Sequence, residues 1–242
     1  DNNRLTQLRL DDCRALAILH CGMNRLESLD VSACSSLRWL NGAENRLTSL
    51  DVTRNTNLEH LFCNNNRLTT LALENNIHLS QLYCGHNKLD SLIVSHNTAL
   101  TDLDCGSNRL TVLDLSRNTA LTDLECSINR LTILDVSHNA ALKNLYCNAM
   151  PSLTSVYLIK DAKYQNLSYL VASVTTYRVD TETATAEIET YIAATEKTKE
   201  EEATKAAEAA VKSGEEASAN RPLTTRERYY DEARQQAELR KL

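Results

Sequence analysis

Proline, glycine and long apolar runs are scarce in this chain. Its 242 residues include two prolines, five glycines, one tryptophan and one phenylalanine. No stretch is long and apolar enough to cross a membrane, and neither a signal peptide nor a lipobox is visible, which excludes a transmembrane segment within this sequence. The shortage of chain-breaking residues, together with many leucines, fits one elongated domain with a sizeable core.

The charge balance and the scattered reactive residues exclude further classes of function. The formal net charge is −6, which argues against a nucleic-acid partner. The six histidines are dispersed, and none has a nucleophile at a defined spacing, so we expect a protein that is not an enzyme. No pair of cysteines has the spacing of a zinc finger, and we therefore predict neither a metal site nor a cofactor.

The dominant feature of the sequence is the pattern Cys-x-x-Asn-x-Leu-x-x-Leu, which recurs every 21 residues. A fixed period of this length indicates a solenoid, because a single repeat cannot bury its apolar face without its neighbours. The positions that vary between repeats must then carry the function. The asparagines of the pattern are Asn3, Asn24, Asn45, Asn66, Asn87, Asn108 and Asn129.

Apolar residues at five positions of the repeat form columns along the chain. The segment 61–63 alternates as a short strand does, with its leucine and cysteine inward and its phenylalanine outward. Strands from successive repeats should pair in parallel at a spacing of about 4.8 Å, above one continuous core. The columns begin at Leu26, Leu29, Val31, Leu37 and Leu40.

The motif Leu-x-x-Leu-x-Cys-x-x-Asn-x-Leu matches the leucine-rich repeat consensus, with cysteine in place of an inward leucine. Through full units such as residues 103–118, residues 1–158 resemble the cysteine-ladder class of bacterial surface repeats typified by internalin J. The resemblance implies an α/β, β-rich solenoid of about seven turns that binds partners from the surface or envelope of a bacterium. It also implies an extracellular or cell-surface location.

The cysteines are predicted to be buried free thiols. Parallel side chains on stacked strands do not supply the torsion of roughly 90° that a disulfide prefers. A thiol in an inward column instead behaves as a small apolar group. Cys13 and Cys34 share a different column with asparagines such as Asn55, whose buried amides should bond the turn backbone of their own and the next repeat. The inward column contains Cys21, Cys63, Cys84, Cys105, Cys126 and Cys147.

Two outward columns flank the inward strand residues and locate the candidate site. The only tryptophan and the only phenylalanine of the chain point outward, and the next turns present carboxylates. Such a surface indicates an anchor for a protein partner or a stacking platform for sugar rings. Tolerated exposed aromatics and solvated or Ca²⁺-holding carboxylates are the alternatives. The predicted ligand-binding residues are Trp39, His60, Phe62, Tyr83, Asp102, Asp104, Asp123 and Glu125.

A column of basic residues follows the conserved asparagines. Like charges about 4.8 Å apart should repel one another unless they are paired. The favoured interpretation is a structural lattice with Asp30, Asp51, Asp114 and Asp135, and the alternative is a track for a polyanion such as a sulfated glycan or phosphate. The column contains Arg4, Arg25, Arg46, Arg67, Lys88, Arg109 and Arg130.

The register of the repeat is lost near Met150, where the expected asparagine is missing and one residue is inserted. We therefore expect the solenoid to end at residue 158. Residues 159–179 are predicted to form a closing segment, in which 174–179 is β-prone and 164–174 is alternatively helical. At the other end the chain begins in mid-repeat without a capping segment, which suggests a processed or truncated chain.

Residues 180–242 are rich in alanine, glutamate, lysine and threonine, and we expect a charged helical tail. Its two predicted helices span about 181–213 and 224–241, and the second begins with a capping-box pattern at Thr224 and Glu227. The tail is a candidate for oligomerisation or for docking to a larger assembly, or else a solvated stalk.

Three functional hypotheses follow from these patterns. The first is a noncatalytic surface module that recognises a protein partner through the concave sheet of the solenoid. The second is binding of carbohydrate by the outward aromatic column. In the third, the repeat is a rigid spacer and the helical tail is the interaction element.

Overall fold

The computed structural model describes residues 1–160, 162–168 and 174–179. Within these residues the compact unit spans Asp1–Arg178. The predictions for the helical tail at 180–242 lie outside the described residues.

The described part is a β-solenoid of short parallel strands, and no helix occurs in it. The parallel sheet of the predicted fold class is confirmed. The strands are β1 (Ile18–His20), β2 (Trp39–Asn41), β3 (His60–Phe62), β4 (Gln81–Tyr83), β5 (Asp102–Asp104), β6 (Asp123–Glu125), β7 (Ile133–Asp135), β8 (Asn144–Tyr146), β9 (Ser155–Ile159), β10 (Asn166–Ser168) and β11 (Thr175–Val179).

Eight of these strands form the main sheet, in the order β1-β2-β3-β4-β5-β6-β8-β10. Neighbouring strands are parallel, and from β1 to β8 each residue pairs with the residue 21 positions later, as Leu40 does with Leu61. These parallel strands are joined without a crossover helix, because the rest of each repeat returns the chain beneath the sheet to the start of the next strand. The repeat period is therefore the register of the sheet.

The parallel stacking continues beyond residue 158, where the sequence analysis placed the end of the solenoid. Leu145 of β8 pairs with Leu167 of β10, 22 residues later, so the inserted residue is accommodated outside the strands. The helix considered for 164–174 is not found in its described part, where β10 lies. A strand does occupy the β-prone segment 175–179.

A second sheet, which the sequence analysis did not predict, contains β11, β9 and β7 in that order. It lies at a different position of the repeat, because β7 follows β6 within one turn. Leu134 of β7 pairs with Val156 of β9, again 22 residues apart. The rings of Tyr157 and Tyr177 stack 4.8 Å apart on this second sheet.

The five predicted apolar columns form one continuous buried cluster. Leucines such as Leu61 and Leu82 have no exposed surface, and the cysteines of the inward column are buried among them. All eight cysteines are free, as predicted. At about 25 cal/mol per Å² of apolar surface, burial of these side chains supplies the main stabilisation of the solenoid.

The conserved asparagines from Asn24 to Asn129 tie their turn to the preceding one. The Asn66 amide donates to the carbonyls of Cys63 at 3.1 Å and Gly42 at 3.0 Å, and its Oδ1 accepts from the backbone N–H of Leu47 at 2.9 Å. The amide thus satisfies backbone groups that would otherwise be buried without a partner. Asparagine is suited to this position because it supplies donors and an acceptor on one short side chain.

The asparagines that follow Cys13 and Cys34 in their column make different hydrogen bonds from those predicted. We call this set the second asparagine column, and its members are Asn55, Asn76, Asn97, Asn118 and Asn139. The Asn97 amide donates to the carbonyls of Leu73 at 3.1 Å and Asn76 at 2.8 Å, and both acceptors belong to the preceding repeat. The bonds do not go to its own and the next repeat, because the amide lies over the carbonyls of the turn before it. The Oδ1 of Asn97 is buried and has no hydrogen-bond partner among the described residues.

The residue that precedes each conserved asparagine adopts a left-handed backbone conformation. Its φ lies near 55°, for example at Asn65 and at Ile128. This turn redirects the chain after β1 to β6 and after β8. Asparagine tolerates the left-handed region, whereas a β-branched isoleucine there is strained.

Candidate functional site

The strands of the main sheet place alternate side chains on an outward face. In β2 to β6 the middle residue is buried and the two flanking residues are half-buried. This alternation follows from the two-residue period of a strand. All eight residues that the sequence predicted for the site lie on this face of β2 to β6.

Aromatic rings on consecutive turns stack against one another. The ring centroids of Phe62 and Tyr83 are 4.9 Å apart with planes 11° from parallel. Those of Trp39 and Phe62 are 5.2 Å apart at 27°. Because the strands are in register, these side chains form one continuous surface, which we call the aromatic stack and define as Trp39, His60, Phe62 and Tyr83.

His20 and Gln81 border the aromatic stack and contact its members Trp39 and His60. The His60 ring lies 4.4 Å from that of Trp39, and its Nδ1 is 3.0 Å from Oε1 of Gln81. His20, which the sequence analysis did not include in the site, lies 6.0 Å from Trp39. The indole Nε1 of Trp39 is buried and has no hydrogen-bond partner in the described structure.

Four carboxylates follow the aromatic stack on the next two strands, and we call Asp102, Asp104, Asp123 and Glu125 the acidic patch. In one column, hydroxyl groups donate to the carboxylates, from Thr101 to Asp102 at 2.6 Å and from Thr122 to Asp123 at 2.7 Å. The amide of Asn144 also donates to Asp123. These bonds orient the carboxylates without neutralising them.

In the other column, the carboxylates accept from the turn backbone. Asp104 accepts from the N–H of Gly106 at 3.0 Å, and Glu125 accepts from the N–H of Ser127 at 2.8 Å. Asp104 also folds over Gly85 of the preceding turn, where an added Cβ would lie 2.6 Å from its Oδ1. Glycine at position 85 therefore leaves the space that this carboxylate occupies, which the sequence analysis missed.

Among the described residues, the acidic patch forms no salt bridge, although His86 lies near Asp104. Burial raises the pKa of the Asp104 carboxyl, and the nearby charge of Glu125 adds to this shift, whereas the N–H of Gly106 and the nearby His86 oppose it. Burial, followed by the charges of Asp102, Asp104 and Asp123, also raises the pKa of Tyr83. The patch therefore retains an unneutralised negative field.

The described residues contain no group of three or more histidine, cysteine, aspartate or glutamate side chains arranged to hold a metal ion. Among them, no helix is long and apolar enough to cross a membrane.

The predicted lattice between the basic column and the aspartates is wrong. The described ion pairs join His20 to Asp1, Arg38 to Glu59 and His138 to Asp135, so none includes the basic column. The aspartates instead accept from the backbone two residues ahead. Asp51 accepts from the N–H of Thr53 at 2.9 Å and Asp114 from that of Ser116 at 2.9 Å. This local turn satisfies the carboxylate more readily than a long arginine side chain does.

Solved structures with a similar fold are leucine-rich repeat proteins. The functional domain of InlJ from Listeria monocytogenes, which includes a cysteine ladder, is 30% identical over 74% of this chain and 47% of its own, with a TM-score of 0.52. A leucine-rich repeat protein of Leptospira interrogans is 22% identical over 71% and 49%, with a TM-score of 0.59. YopM from Yersinia enterocolitica is 25% identical over 64% and 33%, with a TM-score of 0.55.

This chain spans about half the length of the first two of these proteins. No protein-family model matches the sequence, and no curated protein is significantly similar to it. The chain is a leucine-rich repeat protein with 21-residue turns, and its buried cysteine column makes it similar to the bacterial cysteine-ladder class that the sequence pattern indicated.

Proposed function

We propose that this chain is a noncatalytic binding module that recognises a protein partner through the outward face of the main sheet. The observation that carries the proposal is the direct succession of the aromatic stack and the acidic patch on strands β2 to β6. Rigid aromatic side chains bind a partner at a low cost in conformational entropy. Unpaired carboxylates beside them favour a partner whose contact surface is basic, and they orient it.

The energetics of Asp104 support this assignment. Its raised pKa means that the protein holds the charged carboxylate in a place that disfavours it. A group that is kept on an outward face at a cost in stability is typical of a functional site.

The geometry of the rings favours a protein partner over a glycan. A sugar ring binds an aromatic side chain by stacking on its face. In the aromatic stack, Phe62 is stacked between Trp39 and Tyr83, so its faces are used within the protein. Phe62 therefore offers its ring edge to a ligand, which suits the packed side chains of a protein surface better.

The proposal includes a location at the surface or envelope of a bacterium, by similarity to the cysteine-ladder class. Docking or oligomerisation through residues 180–242 stays a separate prediction, because those residues lie outside the described structure.

The proposal is tested by screening the protein against purified extracellular proteins and, in parallel, against a glycan array. Trp39 is the only tryptophan of the chain and lies in the stack, so its fluorescence reports binding at this face. We expect a protein ligand whose affinity falls at least about tenfold in Tyr83→Ala and in Asp104→Asn.

Two controls separate contact from folding. Tyr146→Ala changes an exposed tyrosine in the same column as Tyr83 and should leave the affinity within about twofold. Gly85→Ala keeps every charge but displaces the Asp104 carboxylate, and it should weaken binding as Asp104→Asn does. Binding to glycans alone, or protein binding that is indifferent to Tyr83 and Asp104, would refute the proposal.

A further inference from the structure

A second surface of the solenoid carries a row of unneutralised positive charge. Its members, the seven basic residues that follow the conserved asparagines, are all exposed. Arg25 to Arg130 lie in the turns that follow β1 to β6, and Arg4 occupies the equivalent position of the repeat before β1, so the basic column is separate from the outward strand residues. Its members are Arg4, Arg25, Arg46, Arg67, Lys88, Arg109 and Arg130.

Backbone hydrogen bonds hold the basic column in register. The N–H of Arg67 donates to the carbonyl of Leu47 at 2.8 Å, and the N–H of Lys88 donates to that of Leu68 at 2.8 Å. The same bond recurs from turn to turn between Arg25 and Arg130. The seven backbone positions are thus one strand spacing apart, and the row extends over roughly 29 Å at about 4.8 Å for each step.

The structure leaves these charges without counter-charges. The aspartates that the sequence suggested as partners are engaged in their own turns, and no described ion pair includes a member of the column. Neighbouring cations at this spacing repel one another, and the repulsion is relieved when a chain of negative charges binds along them. The overall charge of −6 makes this row a local feature and not a general property of the surface.

We infer that the basic column binds a linear sulfated polysaccharide. Six of its seven members are arginines, whose planar guanidinium groups bind tetrahedral oxyanions with two hydrogen bonds at once. The residue two positions later is a threonine in five of the turns, and an acidic residue in the other two, Glu27 and Asp90. Threonine hydroxyls donate to and accept from the hydroxyl groups of sugars. These threonines are Thr6, Thr48, Thr69, Thr111 and Thr132.

The neighbouring side chains favour a sugar chain over a nucleic acid. Single-stranded nucleic acids bind where aromatic rings stack on the bases along a basic groove. The positions two and three residues after each basic residue contain hydroxyl, acidic, amide or aliphatic side chains and no aromatic one. The aromatic stack belongs to strands β2 to β4 of the sheet face.

The inference is tested by titrating the full protein with dextran sulfate. Neutral dextran of the same chain length is the reference ligand. We expect binding to dextran sulfate that weakens steeply with salt, and no binding to neutral dextran. The double variant Arg67→Gln/Arg109→Gln should lower the affinity at least about tenfold and reduce the slope of log K against log salt by about 1.5.

The matched control is Arg54→Gln/Arg117→Gln, which removes two exposed arginines outside the column. It carries the same change in net charge and should alter the affinity less than about twofold, with an unchanged salt slope. Three results would overturn the inference: no binding to dextran sulfate at low salt, an equal loss in the two double variants, or equally tight binding of single-stranded DNA.

Discussion

The rings of Phe62 and Tyr83 stack 4.9 Å apart although 21 residues separate them in the chain. The two residues are paired across β3 and β4, so the register of the sheet brings their side chains together. In a solenoid, residue types that occupy one column in consecutive turns become direct neighbours. A continuous surface therefore arises from a few substitutions at equivalent positions of the repeat.

This contact should contribute to stability as well as to binding. Phe62→Ala removes the ring that stacks on both Trp39 and Tyr83, and we expect the free energy of unfolding to fall by about 2 kcal/mol. Tyr146→Ala, which truncates an exposed ring in the same column, should cost about 0.5 kcal/mol or less. Urea denaturation followed by circular dichroism measures both, and equal losses would show that the stack contributes nothing.

A substitution in the left-handed turn before Asn129 should raise the stability of the protein. Ile128 has a φ of 55° and its side chain is exposed, so Ile128→Asn removes backbone strain without loss of core packing. We expect a gain of about 1 kcal/mol in the free energy of unfolding. The reciprocal change Asn65→Ile, at a position with the same φ of 55°, should cost a similar amount. If both variants matched the parent protein, backbone strain at this turn would be negligible.

An asparagine introduced at position 34 should extend the second asparagine column by one turn. Cys34 occupies that column and is buried, and by the geometry of the later turns an amide there would reach the carbonyls of Leu10 and Cys13. Cys34→Asn should therefore change the free energy of unfolding by less than about 1 kcal/mol, because the two new bonds offset the buried Oδ1 that, as in the later asparagines, has no partner among the described residues. Cys63→Asn is the control, because Cys63 lies in the apolar column beneath the sheet.

Cys63→Asn should destabilise the protein by about 3 kcal/mol, since its amide would be buried among leucines. Chemical denaturation of the two variants under reducing conditions distinguishes them. A loss of stability in Cys34→Asn comparable to that in Cys63→Asn would mean that the two cysteine columns are equivalent.

Alkaline pH should destabilise the folded protein through its buried thiols. Burial raises the pKa of Cys63 and that of Cys147 from 9.0 to about 12. The unfolded chain loses these protons as the pH passes 9, whereas the folded protein keeps them until about pH 12. The contribution of the thiols to stability is therefore complete below pH 9 and falls between pH 9 and 12, by about 1.4 kcal/mol per pH unit for each thiol.

Thermal unfolding between pH 7 and pH 11, with a reductant present, measures this dependence. The variant Cys63→Ala/Cys147→Ala has two fewer titrating groups, and its stability should fall less steeply above pH 9 than that of the parent. Identical pH dependence in the two proteins would show that these thiols do not remain protonated in the folded state.

Several features of the fold were predictable because the repeat expresses them many times. The parallel register, the buried leucine columns and the free inward cysteines all follow from equivalent positions 21 residues apart. The second sheet and the pairing of β10 were not predictable in this way. One inserted residue interrupts the sequence pattern, but the backbone between strands absorbs it and the pairing of Leu145 with Leu167 is preserved.

The charged columns show a second limit of prediction from the sequence. Arginines and aspartates at equivalent positions of the repeat suggested mutual pairing, yet Asp51 accepts from the N–H of Thr53, two residues ahead. A short side chain finds a local donor at little cost in entropy, whereas an ion pair requires a long side chain to be ordered. Composition alone does not reveal which of these partners the carboxylate takes.

The sequence by itself determined which positions of each turn face inward and which face outward, because burial of a periodic apolar pattern has one solution in a solenoid. The tertiary structure decided which outward side chains touch: that Phe62 stacks on Tyr83, that Asp104 lies over Gly85, and that the basic column stays unpaired. These contacts join residues about one turn apart in the chain, and they depend on side-chain conformation and on competition with backbone donors, which no single repeat contains.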